Sequence, residues 1–235
     1  MSGRDTVYVW VGRDTGGQPD PAVGLLRWVG SVLLGRAETE LVLTHDTVGR
    51  PLVRIDERAA RSVELPVSIS RTAGIVVVAA RRAGPVGVDV ERVRPLPALT
   101  LARRWFAPAE LAWLDGRPEA GRAVDFLRLW TAKEAVGKAL GLGLRDGGLR
   151  REMPSPGLPL RPVPGVEAVR VGHPELGGDL VLAVAVHATT HVEVEVMQGA
   201  GHGVAAERSV SVERTSLPVV VRGNRSSRCS TRGRL

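Results

Sequence analysis

The stretch Arg122–Leu140, RAVDFLRLWTAKEAVGKAL, decides how this chain is read. Phe126, Leu129, Trp130, Val136 and Leu140 recur at helical spacing and keep one side apolar, which predicts a helix. The following GLGL (Gly141–Leu144) ends it with two glycines that tolerate positive φ. Inside lies WTAKEAVGK (Trp130–Lys138), which holds Lys133 and Lys138, the only lysines among 32 basic residues. Trp130, Glu134 and Lys138 are four apart and share a helix face. An exposed Glu–Lys pair at that spacing is worth only about 0.2–0.5 kcal/mol. An arginine would serve such a pair equally well. Lysine differs as a compact, mobile, titratable point charge, suited to a phosphate oxygen or to proton transfer. Two lysines within six residues, flanking a glutamate, imply that an ammonium is required there.

Upstream, LTLARRWFAPAELAWLDG is helical in pattern, with Pro108 where a helix begins and Gly116 where one ends. Thr6–Gly12 reads as a strand, and Pro21–Arg36 as an amphipathic helix through Leu25, Trp28, Val29, Val32 and Leu33. Gly49–Val53 is turn-like and leads to a strand over Val63–Ser70. Ile75–Ala80 is a short apolar run, consistent with a buried strand. Pro85–Val93 follows the Ala83-Gly84-Pro85 turn as a second hairpin arm. Beyond Met153 a proline-rich passage precedes two more strands, VEAVRVG and DLVLAVAVHA. The last resembles TAGIVVVAARR in placement and composition, which hints at two similar lobes. The expected fold class is α+β: an N-terminal lobe over residues 1–97, a C-terminal lobe over 98–196, and a disordered basic tail over 197–235.

The 235 residues are 43% apolar, ordinary for one large or two small globular domains. The net charge is +7, but Met197–Leu235 carries seven arginines against Glu207 and Glu213, leaving +2 for Met1–Val196. A basic tail can bind polyanions without specificity. The nearly neutral remainder argues against a specific nucleic-acid partner. Cys229 is the only cysteine, so no intramolecular disulfide or cysteine-based metal site is expected, as suits a reducing cytoplasm. MSGRDTVYVWVGRD lacks a secretory pattern, and no run approaches the ~18 apolar residues of a spanning helix. The expectation is a cytoplasmic chain with no membrane association.

Two segments carry chemistry. In GVDVE (Gly87–Glu91) a strand would project Asp89 and Glu91 from one face and Val88 and Val90 from the other. Adjacent carboxylates repel, and a hard cation such as Mg²⁺ offsets that repulsion. Standing alone, the motif reads more readily as a solvated edge strand. Joined with Glu134 and the two lysines, it describes a metal-assisted phosphate site. No GxxxxGK[ST] loop and no HExxH helix competes. His173, His187 and His191 show no ligand arrangement.

GVDVE followed by WTAKEAVGKALGLGL, with Asp89 and Glu134 45 positions apart, resembles the phosphopantetheinyl transferases of the broad-specificity, surfactin-synthetase-activating type. FAPAE (Phe106–Glu110) is similar to the family's Phe-x-x-x-Glu segment. The resemblance spans roughly Val23–His187. It implies a pseudo-dimer of two α+β lobes with the cofactor between them. It also implies transfer of the 4′-phosphopantetheine arm of coenzyme A to a serine of an apo carrier protein, with release of 3′,5′-ADP. Asp89, Glu91 and Glu134 are then expected to hold Mg²⁺, with Mn²⁺ as the alternative ion. Glu134, or a water it orients, would help deprotonate the serine, and Lys133 and Lys138 would hold phosphate oxygens.

The chain departs from the family pattern where an Asn-x-Ser-His-Ser/Thr segment is usual. It reads Ser68-Ile69-Ser70-Arg71-Thr72, so Ser70, Arg71 and Thr72 are the candidate cofactor contacts, with Arg71 replacing histidine beside a phosphate. Arg50, in Gly49-Arg50-Pro51, stands where the family has a basic residue. The expected partners are coenzyme A and acyl or peptidyl carrier proteins of fatty-acid, polyketide or peptide synthases. Such carriers are typically acidic helical bundles, and the enzyme is expected to act as a monomer. Two alternatives stay open at this point: a Mg²⁺-dependent phosphodiesterase, and a degenerate coenzyme A or carrier-binding homologue without turnover.

Overall fold

The computed structural model describes residues 5–14, 20–55, 63–145, 147–157, 159–188, 192–198 and 219–221. The strands are β1 (Thr6–Arg13), β2 (Leu41–His45), β3 (Pro51–Ile55), β4 (Glu64–Thr72), β5 (Ile75–Arg81), β6 (Val86–Arg92), β7 (Arg161–Pro162), β8 (Val169–Gly172), β9 (Leu180–His187), β10 (Glu193–Gln198) and β11 (Val219–Val221). The helices are α1 (Pro21–Leu34), α2 (Ala98–Trp105), α3 (Pro108–Asp115) and α4 (Glu119–Leu140). No helix among the described residues is long and apolar enough to cross a membrane.

The strands form two sheets, ordered β11-β10-β1-β5-β4-β3-β2 and β6-β9-β8-β7. Pairing is antiparallel throughout, except that β10 runs parallel to both β1 and β11. The class is therefore α+β, as expected.

Strand periodicity explains the layering. On β5, Val76, Val78 and Ala80 pack with Leu25, Leu26 and Val29 of α1. Val77 and Ala79 turn the other way, to meet Val88 and Val90 of β6 and Val184 of β9 in a core between the sheets. On β9, Val181, Ala183 and Ala185 face α4 with Leu129, Ala132 and Val136. Both strands are buried on two faces, which is why each reads as a nearly continuous apolar run. The result is four layers: α1, the larger sheet, the smaller sheet, and α2–α4.

The expected hairpin between Ile75–Ala80 and Pro85–Val93 does not form. β5 pairs with β1 and β4, whereas β6 leaves that sheet and pairs with β9. Arg81 fixes the divergence. It is 2% exposed and donates to both Asp5 oxygens, at 3.0 and 2.5 Å, and to the carbonyls of His187 (2.8 Å) and Pro85 (3.4 Å). A buried guanidinium with carboxylate and carbonyl partners meets its desolvation with charge-assisted bonds.

The turn-like reading of Gly49–Val53 is also corrected, because Pro51–Ile55 is β3, paired with β2 and β4. We propose that residues 1–97 and 98–196 are lobes that trade strands, β6 going to the second sheet and β10 to the first. The two sheets are unequal in strand number. Of the tail expected to be disordered, Met197 and Gln198 end β10 and Val219–Val221 form β11. The rest of it, with Cys229, lies outside the described residues, as does His191.

Candidate active site

β6 is built to receive α4. Val86, Val88 and Val90 fill the core between the sheets, which turns Gly87, Asp89 and Glu91 toward the helix. A Cβ on Gly87 would fall 1.9 Å from the Ala135 carbonyl oxygen and 2.7 Å from the Ala139 nitrogen, so only glycine lets α4 lie this close. The free edge of β6 is met by β4 side chains. Ser68 Oγ accepts from the Val88 N–H at 3.0 Å, and Ser70 Oγ from the Val90 N–H at 3.2 Å.

This packing brings the two sequence motifs into one cleft of about 510 Å³, lined by Asp89, Glu91, Trp130, Glu134 and Lys138, with Ser70 and Arg71 from β4. Asp89 is 7% exposed. Its Oδ1 accepts from Ser70 Oγ at 2.7 Å and from Lys138 Nζ at 2.8 Å, while Nζ also donates to the Val88 carbonyl at 3.0 Å. Burial raises the Asp89 pKa, with Lys138 and Ser70 opposing and Glu91 adding to the rise. Glu134 is raised too, first by burial and then by the charge of Asp89; Lys138 opposes, and Glu91 contributes further. Glu91 receives Arg94 Nη1 at 2.7 Å. Trp130 stacks on Phe126 and meets Trp105 at 5.6 Å.

Among the described residues no three His, Cys, Asp or Glu side chains converge as a ready metal-ligand set. The donor chemistry nevertheless fits a hard cation, because Asp89, Glu91 and Glu134 line one cleft and each raises, or is raised by, another's charge.

Lys133 requires a correction. It was expected to hold phosphate oxygens, but it is 0% exposed and points away from the cleft into the core of the helical layer. Its Nζ donates to Glu110 Oε1 and Oε2, at 2.7 and 2.8 Å, and to the Arg151 carbonyl at 2.5 Å, over the Phe106 ring. All three ammonium protons are used. Burial lowers the Lys133 pKa, opposed by Glu110. Glu110 also accepts from the N–H groups of Ala107 and Met153, both at 2.9 Å. The Phe106–Glu110 segment therefore anchors α3, α4 and the 151–153 backbone to one another.

The remaining candidates divide. The Ser70 hydroxyl donates to Asp89 and accepts from the Val90 N–H, so within the cleft it orients a carboxylate. Thr72 ends β4 and does not line the cleft. Arg71 does line it, but its Nη2 is held by both oxygens of Asp20, at 2.5 and 2.6 Å. Asp20 also caps α1 by accepting from the Ala22 N–H, and the Arg71 hydrogen bond chiefly lowers its pKa. Arg50 bonds Asp46 at 2.6 Å and the Ala139 carbonyl at 3.1 Å. It lines a neighbouring pocket of about 380 Å³ with Arg145, Gly141 and Gly143. Ile69 and Lys138 line both pockets, so the two adjoin. Asp20 and Arg145 escaped the sequence reading. An Asp before Pro21 signals a helix cap, but nothing local reveals its arginine partner.

Residues 85–158, which hold both motifs, match the sequence profile of the 4′-phosphopantetheinyl transferase superfamily. Among individual proteins, the chain is 36% identical over 120 residues to a Synechocystis protein provisionally named a 4′-phosphopantetheinyl transferase (51% of this chain, 47% of that one). It is 31% identical over 122 residues to the 4′-phosphopantetheinyl transferase HetI of Nostoc (52% and 50%). It is 36% identical over 108 residues to the 4′-phosphopantetheinyl transferase psf-1 of Bacillus pumilus (46% and 43%). Each match spans about half, or less, of the relative's length.

Proposed function

We propose that this protein is a 4′-phosphopantetheinyl transferase of the broad-specificity type. It would move the phosphopantetheine arm of coenzyme A to a serine of an apo acyl or peptidyl carrier protein and release 3′,5′-ADP. The observation that carries the reading is the convergence of Asp89, Glu91, Glu134 and Lys138 in one cleft, within the segment that matches the superfamily.

In this reading the serine oxygen attacks the phosphorus that bears pantetheine. The bond from that phosphorus to the 3′,5′-ADP oxygen breaks. The serine proton passes to the Glu134 carboxylate, directly or through a water it orients. Lys138 neutralises charge gathering on the diphosphate, and Ser70 holds Asp89 in place. Mg²⁺ held by Asp89, Glu91 and Glu134 would supply Lewis-acid neutralisation of the diphosphate oxygens. Arg50 and Arg145 suit the remaining phosphate of coenzyme A, in the pocket that adjoins the cleft at Lys138. Arg71 would join them once Asp20 is displaced. We place the enzyme in the cytoplasm, as a monomer whose own two sheets complete the site.

The test is release of 3′,5′-ADP from coenzyme A, followed by chromatography. Release that depends on an apo carrier and on Mg²⁺, and that is lost in Asp89→Ala, supports the reading. Carrier-independent hydrolysis would favour a phosphodiesterase.

A further inference from the structure

Lys138, Arg50 and Arg71 line the cleft or the pocket beside it, and each is paired with a carboxylate: Asp89, Asp46 and Asp20 respectively. The pairs differ in how firmly the acid is held. Asp89 is buried and also receives Ser70. Asp46 closes the turn between β2 and β3, its Oδ1 accepting from the N–H groups of Val48 (3.0 Å) and Arg50 (2.9 Å), so acid and arginine share one short loop. Asp20 and Arg71 share neither constraint. They come from different elements, and their side chains are 39% and 46% exposed.

The sequence sets up this meeting. Ser68 and Ser70 face β6, so alternation along β4 turns Ile69 and Arg71 toward the α1 side. Asp20 stands just before Pro21 and caps α1 through Oδ1, which accepts from the Ala22 N–H at 2.9 Å. Arg71 Nη2 reaches both oxygens of the same carboxylate, while Asp14 stands 3.9 Å from Arg71 Nε. Asparagine and serine cap a helix about as well as aspartate. The cap therefore explains an oxygen at position 20, but not a full negative charge set on a guanidinium that lines the cleft.

We propose that Asp20 sets the affinity for the cosubstrate, occupying Arg71 as an internal anion that Arg71 exchanges for a phosphate group when the cosubstrate binds. The inference rests on the transferase reading for the identity of that cosubstrate, coenzyme A. Asp20 keeps its bond to the Ala22 N–H through the exchange, so α1 stays capped and only the ion pair is given up. A phosphate offers the guanidinium the same forked pairing as a carboxylate. A half-exposed pair is weak, so the exchange is easy, yet each binding event has to make it.

Calorimetric titration with coenzyme A tests this without any carrier protein. Asp20→Asn is expected to bind about two- to five-fold more tightly than the wild type, the factor that corresponds to a surface ion pair. Asp20→Ser, a second uncharged cap, should repeat the gain. Arg71→Ala should bind more weakly than the wild type, and adding Asp20→Asn to it should change nothing. Thermal melts of the Asn and Ser variants check that the cap is kept. Unchanged or weaker affinity in both capped, folded variants would overturn the proposal. A gain that persists in Arg71→Ala would overturn it too, since Asp20 would then act through the general field of the cleft. So would the absence of coenzyme A binding by both the wild type and Asp20→Asn. Transfer to an apo carrier is measured separately. Tighter binding in Asp20→Asn without transfer would retain the role of Asp20 and reject the transferase, and transfer with unaltered affinity would do the reverse.

Discussion

Lys138 ties α4 to β6 through two bonds, donating to the Asp89 carboxylate at 2.8 Å and to the carbonyl of Val88, the preceding residue, at 3.0 Å. The ammonium thus partners a buried acid and stands in the cleft at once. Lys138→Ala should leave Asp89 without its ammonium partner and, on the proposed function, remove the charge facing the diphosphate, lowering kcat about a hundred-fold or more. Lys138→Arg should recover little, because a planar guanidinium cannot occupy the same pocket with the same three donors. Steady-state kinetics of both variants check this, and near-wild-type turnover in Lys138→Ala would contradict it.

The other lysine should behave differently. Lys133→Met strands the Glu110 carboxylate in the core, and breaking a buried pair from one side costs about 3–5 kcal/mol. Adding Glu110→Gln should recover part of that loss. Urea denaturation of the two single variants and the double measures the coupling. A Lys133→Met protein with wild-type stability but weakened coenzyme A binding would return Lys133 to the cleft.

Two glycines make opposite predictions. Gly87→Ala sets a methyl against the α4 backbone, and overpacking of this kind costs about 1–3 kcal/mol. Transfer should fall along with stability, since the same contact holds Asp89 beside Glu134. Gly24, inside α1, has open space around an added Cβ, so Gly24→Ala should stabilise by about 0.5–1 kcal/mol. Thermal melts of the pair, with activity at low temperature, decide the matter.

His173 supplies a pH signature. Its Nε2–H donates to the Arg128 carbonyl at 2.7 Å, and its Nδ1 accepts from the Gly157 N–H at 3.4 Å. Burial depresses its pKa from 6.5 to about 4. The unfolded chain therefore takes up the proton first as pH falls. The stabilising contribution is whole above pH 6.5 and is lost between there and about 4. The urea midpoint should fall as pH drops from 6.5 to 5, and His173→Asn should flatten that slope. A wild-type midpoint constant over this range would contradict the assignment.

Much of this was legible because it is periodic. The α4 helix, its glycine end and the alternation in GVDVE follow from local spacing, and so the acids and Lys138 could be named before any fold was known. What spacing could not reveal is which strand pairs with which. Val86–Arg92 looks like a hairpin arm after Ile75–Arg81, yet Arg81 binding to Asp5 and His187 sends β6 into another sheet. The two lysines looked equivalent for the same reason. Helix phase places Lys133 about 100° from Glu134, but only the folded position of Glu110, 23 residues earlier, shows what the ammonium meets there. Arg71 and Asp20, 51 positions apart, are a further partnership fixed by tertiary structure alone.

The most direct test of the central claim is the intact mass of an apo carrier protein after incubation with this protein, coenzyme A and Mg²⁺. The account predicts a gain of one phosphopantetheine group per carrier. That gain should vanish with EDTA, in Glu134→Ala, and when the carrier serine is changed to alanine. An unmodified mass across several acyl and peptidyl carriers, from a folded protein that binds coenzyme A, would contradict it.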